Sequence, residues 1–414
     1  MSNPHYWACR LQELQPLAWD QRARTVWAYA DGAWSEADHL VRDQLPRLAH
    51  EARDIGKLIS NTEHHLRSAL IGQGDLIDPS TPDVGCVPTP SGLYEIATGE
   101  VIEHDPGADT LYRLAVDPVF DGSTEVFDGY LRQTFHDGDA PRVLDLLAYS
   151  LAPGNPRQEA VMLVGAGGNG KGVLLRLLAA MFREVDVVSV SLQAMAKDTF
   201  AARRLYGRAM NIVPEMSAER IGDSTLFKSA TGEDTLAMNK KYGEAIDAKV
   251  WAHHWFSVNE IPSCSDGSDG WVRRWQVVEF PNQPDRSDTT FEARLHRELP
   301  AIVGKLLRRL TENASGRSYL VRETAAGKSA LERLADRSSS IRAWLSDVAA
   351  EITEHLNQTE LLELFRKWAY DENLDERFIP TRRAFAEKLR AVVGAECAVN
   401  GKRGWTLSKC TLRG

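Results

Sequence analysis

The chain of 414 residues contains no apolar run near the roughly 18 to 20 residues that a membrane-spanning helix requires, so no membrane partner is expected. The start, Met1 to Cys9, lacks the basic and then apolar layout of a secretory leader, and the expected compartment is the cytoplasm. The five cysteines, Cys9, Cys86, Cys264, Cys397 and Cys410, are scattered and form no Cys-x-x-Cys pair. That argues against a disulfide framework and against structural zinc. His64-His65 and His253-His254 are adjacent pairs, whereas histidines that share a helix face sit three or four apart, so neither pair reads as a metal site.

A strong basic excess is also missing, since the formal net charge is −9. The charge is unevenly spread. Residues 1–150 carry 11 Lys/Arg against 24 Asp/Glu, residues 151–376 carry 29 against 32, and residues 377–414 carry 9 against 2. The balances of −13, −3 and +7 make any nucleic-acid contact local, with the basic tail as one candidate. A solvated basic tail without a ligand fits the same numbers.

What is present divides into four regions. Residues 1–150 read as a mainly helical domain. Helical patterns cover about 37–53, 61–71 and 125–151, a hairpin turns at Asp31-Gly32, and a loop runs over 72–92. From 151 to 311, short apolar runs alternate with helices, the pattern of an α/β domain. Its strands are expected at 160–164, 185–190, 209–213, 250–258 and 275–280. Residues 312–340, charged and rich in serine, read as a helical linker. Residues 341–414 contain helical patterns at about 340–353, 358–373 and 381–393, then a hairpin around Asn400 to Gly404.

One stretch carries the chemistry. Ala160 to Val164 is an apolar strand, followed at once by Gly165-Ala-Gly167-Gly168-Asn169-Gly170-Lys171, and Gly172, Val173 and the residues to Phe182 are helical. Strand, glycine-rich loop, lysine and helix are the context that makes a P-loop match credible. Glycines let backbone N–H groups turn toward phosphates, the helix N-terminus adds partial positive charge, and Lys171 reaches the β- and γ-phosphates. The pattern calls for Ser or Thr at position 172, to ligate magnesium, and finds Gly172. The metal must then rely on phosphate oxygens, water and a carboxylate elsewhere.

Arg208 to Val213 is an apolar strand that runs out through Pro214 to Glu215, a carboxylate able to orient an attacking water or cap the next helix. Trp255 to Val258 leads to Asn259, suited to hold water near a terminal phosphate. Arg273 and Arg274 precede a strand, as a surface pair or as an arginine finger for a neighbour's nucleotide.

This order of segments resembles the superfamily 3 helicases, and is most similar to their phage and plasmid primase-helicase branch and the poxvirus primase-helicase. The likeness rests on Gly165 to Lys171, Leu205 to Glu215, Phe227 to Asp234, Asn259 to Pro262, and Arg273-Arg274. It implies an AAA+-type P-loop ATPase core that uses ATP and Mg2+, in which Glu215 orients water, and as the single acid of the second motif, after Pro214, Glu215 is also the candidate magnesium ligand. It assigns the sensor role to Asn259 and the finger to Arg273 or Arg274. A DNA-contacting hairpin falls at about 235–250, with Lys240 and Lys241. The family tolerates glycine after the lysine, so Gly172 is a branch feature. The implied assembly is a homo-oligomeric ring, a hexamer, on single-stranded DNA. Primer synthesis is not expected of this sequence, and a separate primase is an expected partner.

In the tail, Thr381 reads as the N-cap of a helix with Phe385 and Leu389 inward and Arg382, Arg383 and Arg390 outward. With Lys402 and Arg403 on the following hairpin, this reads as a winged-helix-like module for duplex DNA, or as one that contacts proteins. The expected function is an ATP-dependent DNA helicase or replication initiator. The alternatives are an origin-binding scaffold that uses ATP as an assembly switch, and a small-molecule P-loop kinase.

Overall fold

The computed structural model describes residues 3–407 apart from 51, 53, 137, 199, 218, 220, 240–243, 265, 267, 283–287, 317, 349–350, 373–378 and 400. Five strands form a parallel sheet: β1 Ala160–Val164, β2 Val187–Val188, β3 Met210–Val213, β4 His253–Val258 and β5 Trp275–Glu279. Their order across the sheet is β5-β1-β4-β3-β2, and every adjacent pair is parallel. β1 and β4 are buried along their whole length, as the centre of a parallel sheet covered on both faces must be. Alternation sends Val161, Leu163 and Trp255 into one core and Met162, Val164 and Phe256 into another. The expected strands all occur, trimmed at their ends.

To the helices expected at the front of the chain the structure adds strands. Helices Pro4–Leu14, Leu40–Leu48, Ile55–Gln73, Glu125–Thr134 and Asp139–Tyr149 are joined by two antiparallel sheets of three strands each. The Asp31-Gly32 hairpin belongs to the first. The second, Cys86–Thr89, Gly92–Glu95 and Val101–Ile102, begins where a loop was expected. Strands this short, containing Pro88 and opening at Gly92, offer too little alternation to be recognised. The helix expected over 125–151 is two, broken at Gly138, which takes a φ of 96°.

Residue 150 is not a packing boundary either. One core joins Tyr94, Phe127 and Leu146 to Val161, Leu174 and Leu306. Within it the buried Asp145 accepts hydrogen bonds from Arg309 Nε at 2.7 Å, Asn313 Nδ2 at 2.7 Å and the Arg322 amide at 3.0 Å. The expected linker is likewise packed. Its helix Ala325–Arg337 puts Ala330 and Leu334, four apart on one face, into the second core. Arg333 pairs with Glu279 of β5 at 2.5 Å. Beyond it, helices Ser340–Val348, Gln358–Asp371 and Arg382–Val393 and the hairpin Cys397–Val399/Lys402–Gly404 share their own core of Trp344, Phe365, Phe385 and Trp405. Just past that hairpin, Trp405 forms an isolated antiparallel bridge with Leu356, their amides and carbonyls exchanging hydrogen bonds at 2.9 Å.

Two outcomes follow from this packing. Leu334→Ala should destabilise the chain by about 2–5 kcal/mol, the usual cost of emptying a buried leucine site, read as a lower urea midpoint. An unchanged midpoint would mean that 325–337 is a free linker after all.

The second concerns pH. Burial pushes the His253 imidazole from 6.5 down to about 4 and that of His254 to about 3, the latter aided by its neighbour. His253 Nε2–H donates to Ala152 O at 3.0 Å, and His254 Nδ1 accepts from Asn211 Nδ2 at 3.2 Å. Since the folded values lie below the unfolded 6.5, the unfolded chain takes up protons first as pH falls. Stability is therefore complete above about 6.5 and is lost progressively toward 4 and 3. The urea midpoint should drop across that window, with a shallower slope in His253→Gln, which cannot titrate there.

Candidate functional site

The sheet's carboxyl edge is brought level by its register. Val258 of β4 and Glu279 of β5 both pair with Val164 of β1. The Phe280 amide continues the ladder to Val164 O at 2.8 Å, and the Gly165 amide reaches Val258 O at 3.3 Å. β3 stops earlier, with Val213 opposite Phe256, so two further residues bring Glu215 to the level of Val258. Gly165, Glu215 and Asn259 thus leave three adjacent strands at one edge, where parallel α/β sheets receive ligands.

The glycine-rich turn closes on itself there. A Cβ at Gly165 would lie 2.1 Å from Asn169 Nδ2 and 2.9 Å from Phe280 O, so only glycine fits. Asn169 Nδ2 donates to Phe280 O at 3.1 Å, fixing the turn to the end of β5. Gly170 caps the helix Lys171–Ala180 with a φ of 98°, a conformation glycine adopts without cost. Its carbonyl accepts from Tyr130 Oη at 3.1 Å. The buried Lys171 Nζ donates to Gly165 O, to Ala166 O at 3.1 Å and to Asn169 Oδ1 at 3.1 Å. Burial holds the Lys171 ammonium below its ordinary pKa, and the negative charge of Glu215 works in the opposite sense.

These residues open onto a cleft of about 790 Å³. Gly167, Gly168, Asn169, Gly170, Lys171, Gly172 and Val173 form one wall, and Glu215, Ser257 and Asn259 form a second. Tyr130, Gln133, Arg176, Phe291 and Glu292 form a third. None of the third wall was foreseen. Tyr130 lies 40 residues before the carbonyl it holds, and Arg176 pairs with Glu292 across 116 positions, so neither contact leaves a local signal. A helix N-terminus, a lysine and a carboxylate around one cleft suit a polyphosphate anion with an accompanying cation. Among the described residues, no group of three or more His, Cys, Asp or Glu forms a preassembled metal site.

The other expected site residues lie elsewhere. Arg273 and Arg274 stand at the amino end of β5, and the Arg274 carbonyl accepts from Ala160 at the start of β1 at 2.7 Å. Five residues of strand separate them from the cleft edge, roughly 16 Å. The two differ in kind. Arg274 is buried, donating from Nε to Thr231 Oγ1 at 2.9 Å and from Nη1 to Gly270 O. Burial, then the charge of Arg273, lowers its pKa. Arg273 is exposed and donates to Gln158 Oε1 at 3.1 Å. Arg274 is thus a structural member of its own subunit, and only Arg273 is presented at the surface.

Lys240 and Lys241 lie outside the described residues, between the arms Leu236–Met238 and Ile246–Ala248 of an antiparallel hairpin. Arg382, Arg383, Lys402 and Arg403 are exposed on the last helix and hairpin, and none lines the cleft. Thr381 does cap that helix, accepting from the Ala384 amide at 3.4 Å. Arg383 pairs with Glu387 at 3.0 Å.

A family profile described as "Family of unknown function (DUF5906)" matches residues 163–274, which run from β1 to the arginine pair. A protein of Acanthamoeba polyphaga mimivirus, named "Putative helicase", is 25% identical over 144 residues. That match covers 33% of this chain and 15% of the mimivirus protein. Among solved structures, an apo A form of the NrS-1 C terminal region aligns with 97% of this chain and 98% of its own, at 13% identity and a TM-score of 0.51. A second apo form of that region aligns over 98% of this chain and 99% of its own, at 14% identity and a TM-score of 0.50. At such identities the likeness is one of fold.

The turn's geometry makes a direct test. Gly165→Ala should weaken tripolyphosphate binding by about tenfold or more, since the new methyl must push aside the Phe280 carbonyl and strain the loop. Equal affinity in titration calorimetry would refute the close-approach argument.

Proposed function

We propose that this chain is an ATP-hydrolysing DNA motor, a superfamily 3 helicase of the phage and plasmid primase-helicase branch. Its core in this reading is an AAA+-type P-loop domain working in a homo-oligomeric ring, a hexamer. The observation that carries the proposal is the flush carboxyl edge where Gly165 to Lys171, Glu215 and Asn259 meet around one cleft. Similarity to a mimivirus protein named as a helicase supports the same direction.

Each residue then has a task. Lys171 exchanges its loop carbonyls for the β- and γ-phosphate oxygens. Its environment favours this, because the neutral carbonyls that now hold it compensate a buried cation less well than an anion does. Glu215 orients the attacking water, and the Asn259 amide senses the terminal phosphate. Glu215 would be the strand-end carboxylate to help hold magnesium, which would supply charge neutralisation on the phosphates. Exposed Arg273, outside its own subunit's cleft, is free to complete a neighbour's. The hairpin with Lys240 and Lys241 grips single strands. The module with Arg382, Arg383, Lys402 and Arg403, three helices and a hairpin in winged-helix fashion, captures duplex.

The proposal rests on ATPase measurements with and without single-stranded DNA on a sized oligomer. DNA-stimulated hydrolysis is expected, whereas binding without turnover would favour the assembly-switch reading. Lys171→Ala should lose hydrolysis, and Glu215→Gln should bind ATP yet turn over at least about a hundredfold slower, the usual contribution of a positioned base. Mixed rings of Lys171→Ala and Arg273→Ala subunits should recover part of the activity, while Arg274→Ala should instead lower the melting temperature. If mixing restores nothing, Arg273 does not act across subunits.

A further inference from the structure

The glycine at position 172 has a neighbour that accounts for it. A Cβ on Gly172 would lie 3.0 Å from Arg176 Nη1, so a serine or threonine side chain there would press on the guanidinium and force it to give way. Arg176 is one helical turn further on, and both residues line the cleft. The guanidinium is held from its far side. Arg176 Nε donates to Glu292 Oε2 at 2.9 Å and Nη2 to Glu292 Oε1 at 2.5 Å, a bidentate pair. That leaves the two hydrogens of Nη1 without a partner among the described residues, at the first turn of the helix after the glycine-rich loop.

We propose that Arg176 is a second polyphosphate-binding cation, braced by Glu292 and admitted to the cleft because Gly172 has no side chain. The proposal rests on reading Gly165 to Lys171 as the phosphate cradle. Where the usual pattern recruits a metal through a hydroxyl, this chain brings a fixed cation to the same place. Arginine suits the task and lysine does not. A planar guanidinium can give one edge to Glu292 and still present Nη1 to a phosphate, whereas an ammonium is a single point of charge. The ligand class is a nucleoside triphosphate or any linear polyphosphate, because the contact is to phosphate oxygen.

The test uses inorganic tripolyphosphate as the probe, titrated into the full chain with EDTA present so that no metal shares the load. Arg176→Ala should weaken binding by about ten- to a hundredfold, the value of a charge-assisted contact. Arg176→Lys should recover little of it. Gly172→Ser should also weaken binding, because its side chain displaces Nη1, but should add no further loss in the Arg176→Ala background. All of these should melt as the wild type does, since Arg176 is exposed, and Arg176→Gln keeps the stem if alanine loosens the fold. Wild-type affinity in both Arg176→Ala and Arg176→Gln, with binding lost in Lys171→Ala, overturns this proposal and leaves the cradle standing. Wild-type affinity in Lys171→Ala as well removes the cradle itself. Additive losses for Gly172→Ser and Arg176→Ala would show that the two do not compete for one space.

Discussion

The constraint on which the rest depends is the register of β1 between β4 and β5. Backbone hydrogen bonds fix Val164 level with Val258 and Glu279, and nothing in the loops can alter that without breaking a buried ladder. Shifting β4 by one residue would also exchange its two faces, taking Trp255 out of one core and Phe256 out of the other. The positions of Gly165 and Asn259 are therefore set by core packing. Glu215 follows from the same ladder through β3, and the Met216 amide donates to Ser257 O at 2.9 Å to hold the chain just past it. Chemistry at the edge inherits its precision from the middle of the sheet.

The front of the chain acts as a wall of this machine. Tyr130, on Glu125–Thr134, reaches the Gly170 carbonyl, and Gln133 and Tyr130 line the cleft. Glu298 accepts from the Val126 amide at 3.0 Å and the Phe127 amide at 2.9 Å, at the start of that same helix. Asp145 binds its neighbour helix to Arg309 and Asn313. A buried carboxylate with three donors is well compensated, and one stripped of them would be costly, so these ties are mutually enforcing. The last unit, from 340 on, keeps a core of its own, as do the first elements of the chain, where Trp7, Leu45 and Leu70 pack together.

How much of this was legible depended on whether the signal was local. The strand, the glycine-rich loop and the helix beginning at Lys171 are contiguous, and the apolar runs of β1, β3 and β4 are pure enough to find. So are the Thr381 cap and the Asp31-Gly32 turn. The sheet at 86–102 was missed because its strands are too short to establish a period. The helix Ala325–Arg337 reads as a helical linker in the sequence because most of its residues are charged or small, and the stripe it buries, Gly327, Ala330 and Leu334, has little bulk. The third wall of the cleft, from Tyr130 to Phe291, is built from partners distant in sequence, and no single window contains them.

The two arginines show how the same residue type diverges when burial differs. Arg274 sits over a buried cluster in which Lys228 Nζ is 2.7 Å from Asp266 Oδ2. Burial alone would push the Asp266 carboxyl up, yet hydrogen bonds from Lys228, Ser224 and Ser268 outweigh it and hold it below the usual range. Arg274 itself donates to Thr231 and Gly270 and feels the negative charges of Asp234 and Asp266, so it is held within its own subunit. Arg273, the residue before it, is exposed and donates to the neutral side chain of Gln158. Adjacent like charges repel, and the charge of Arg273, after burial, helps lower the pKa of Arg274. The pair of identical letters thus marks one buried and one exposed cation, a difference set by burial that the letters themselves do not reveal.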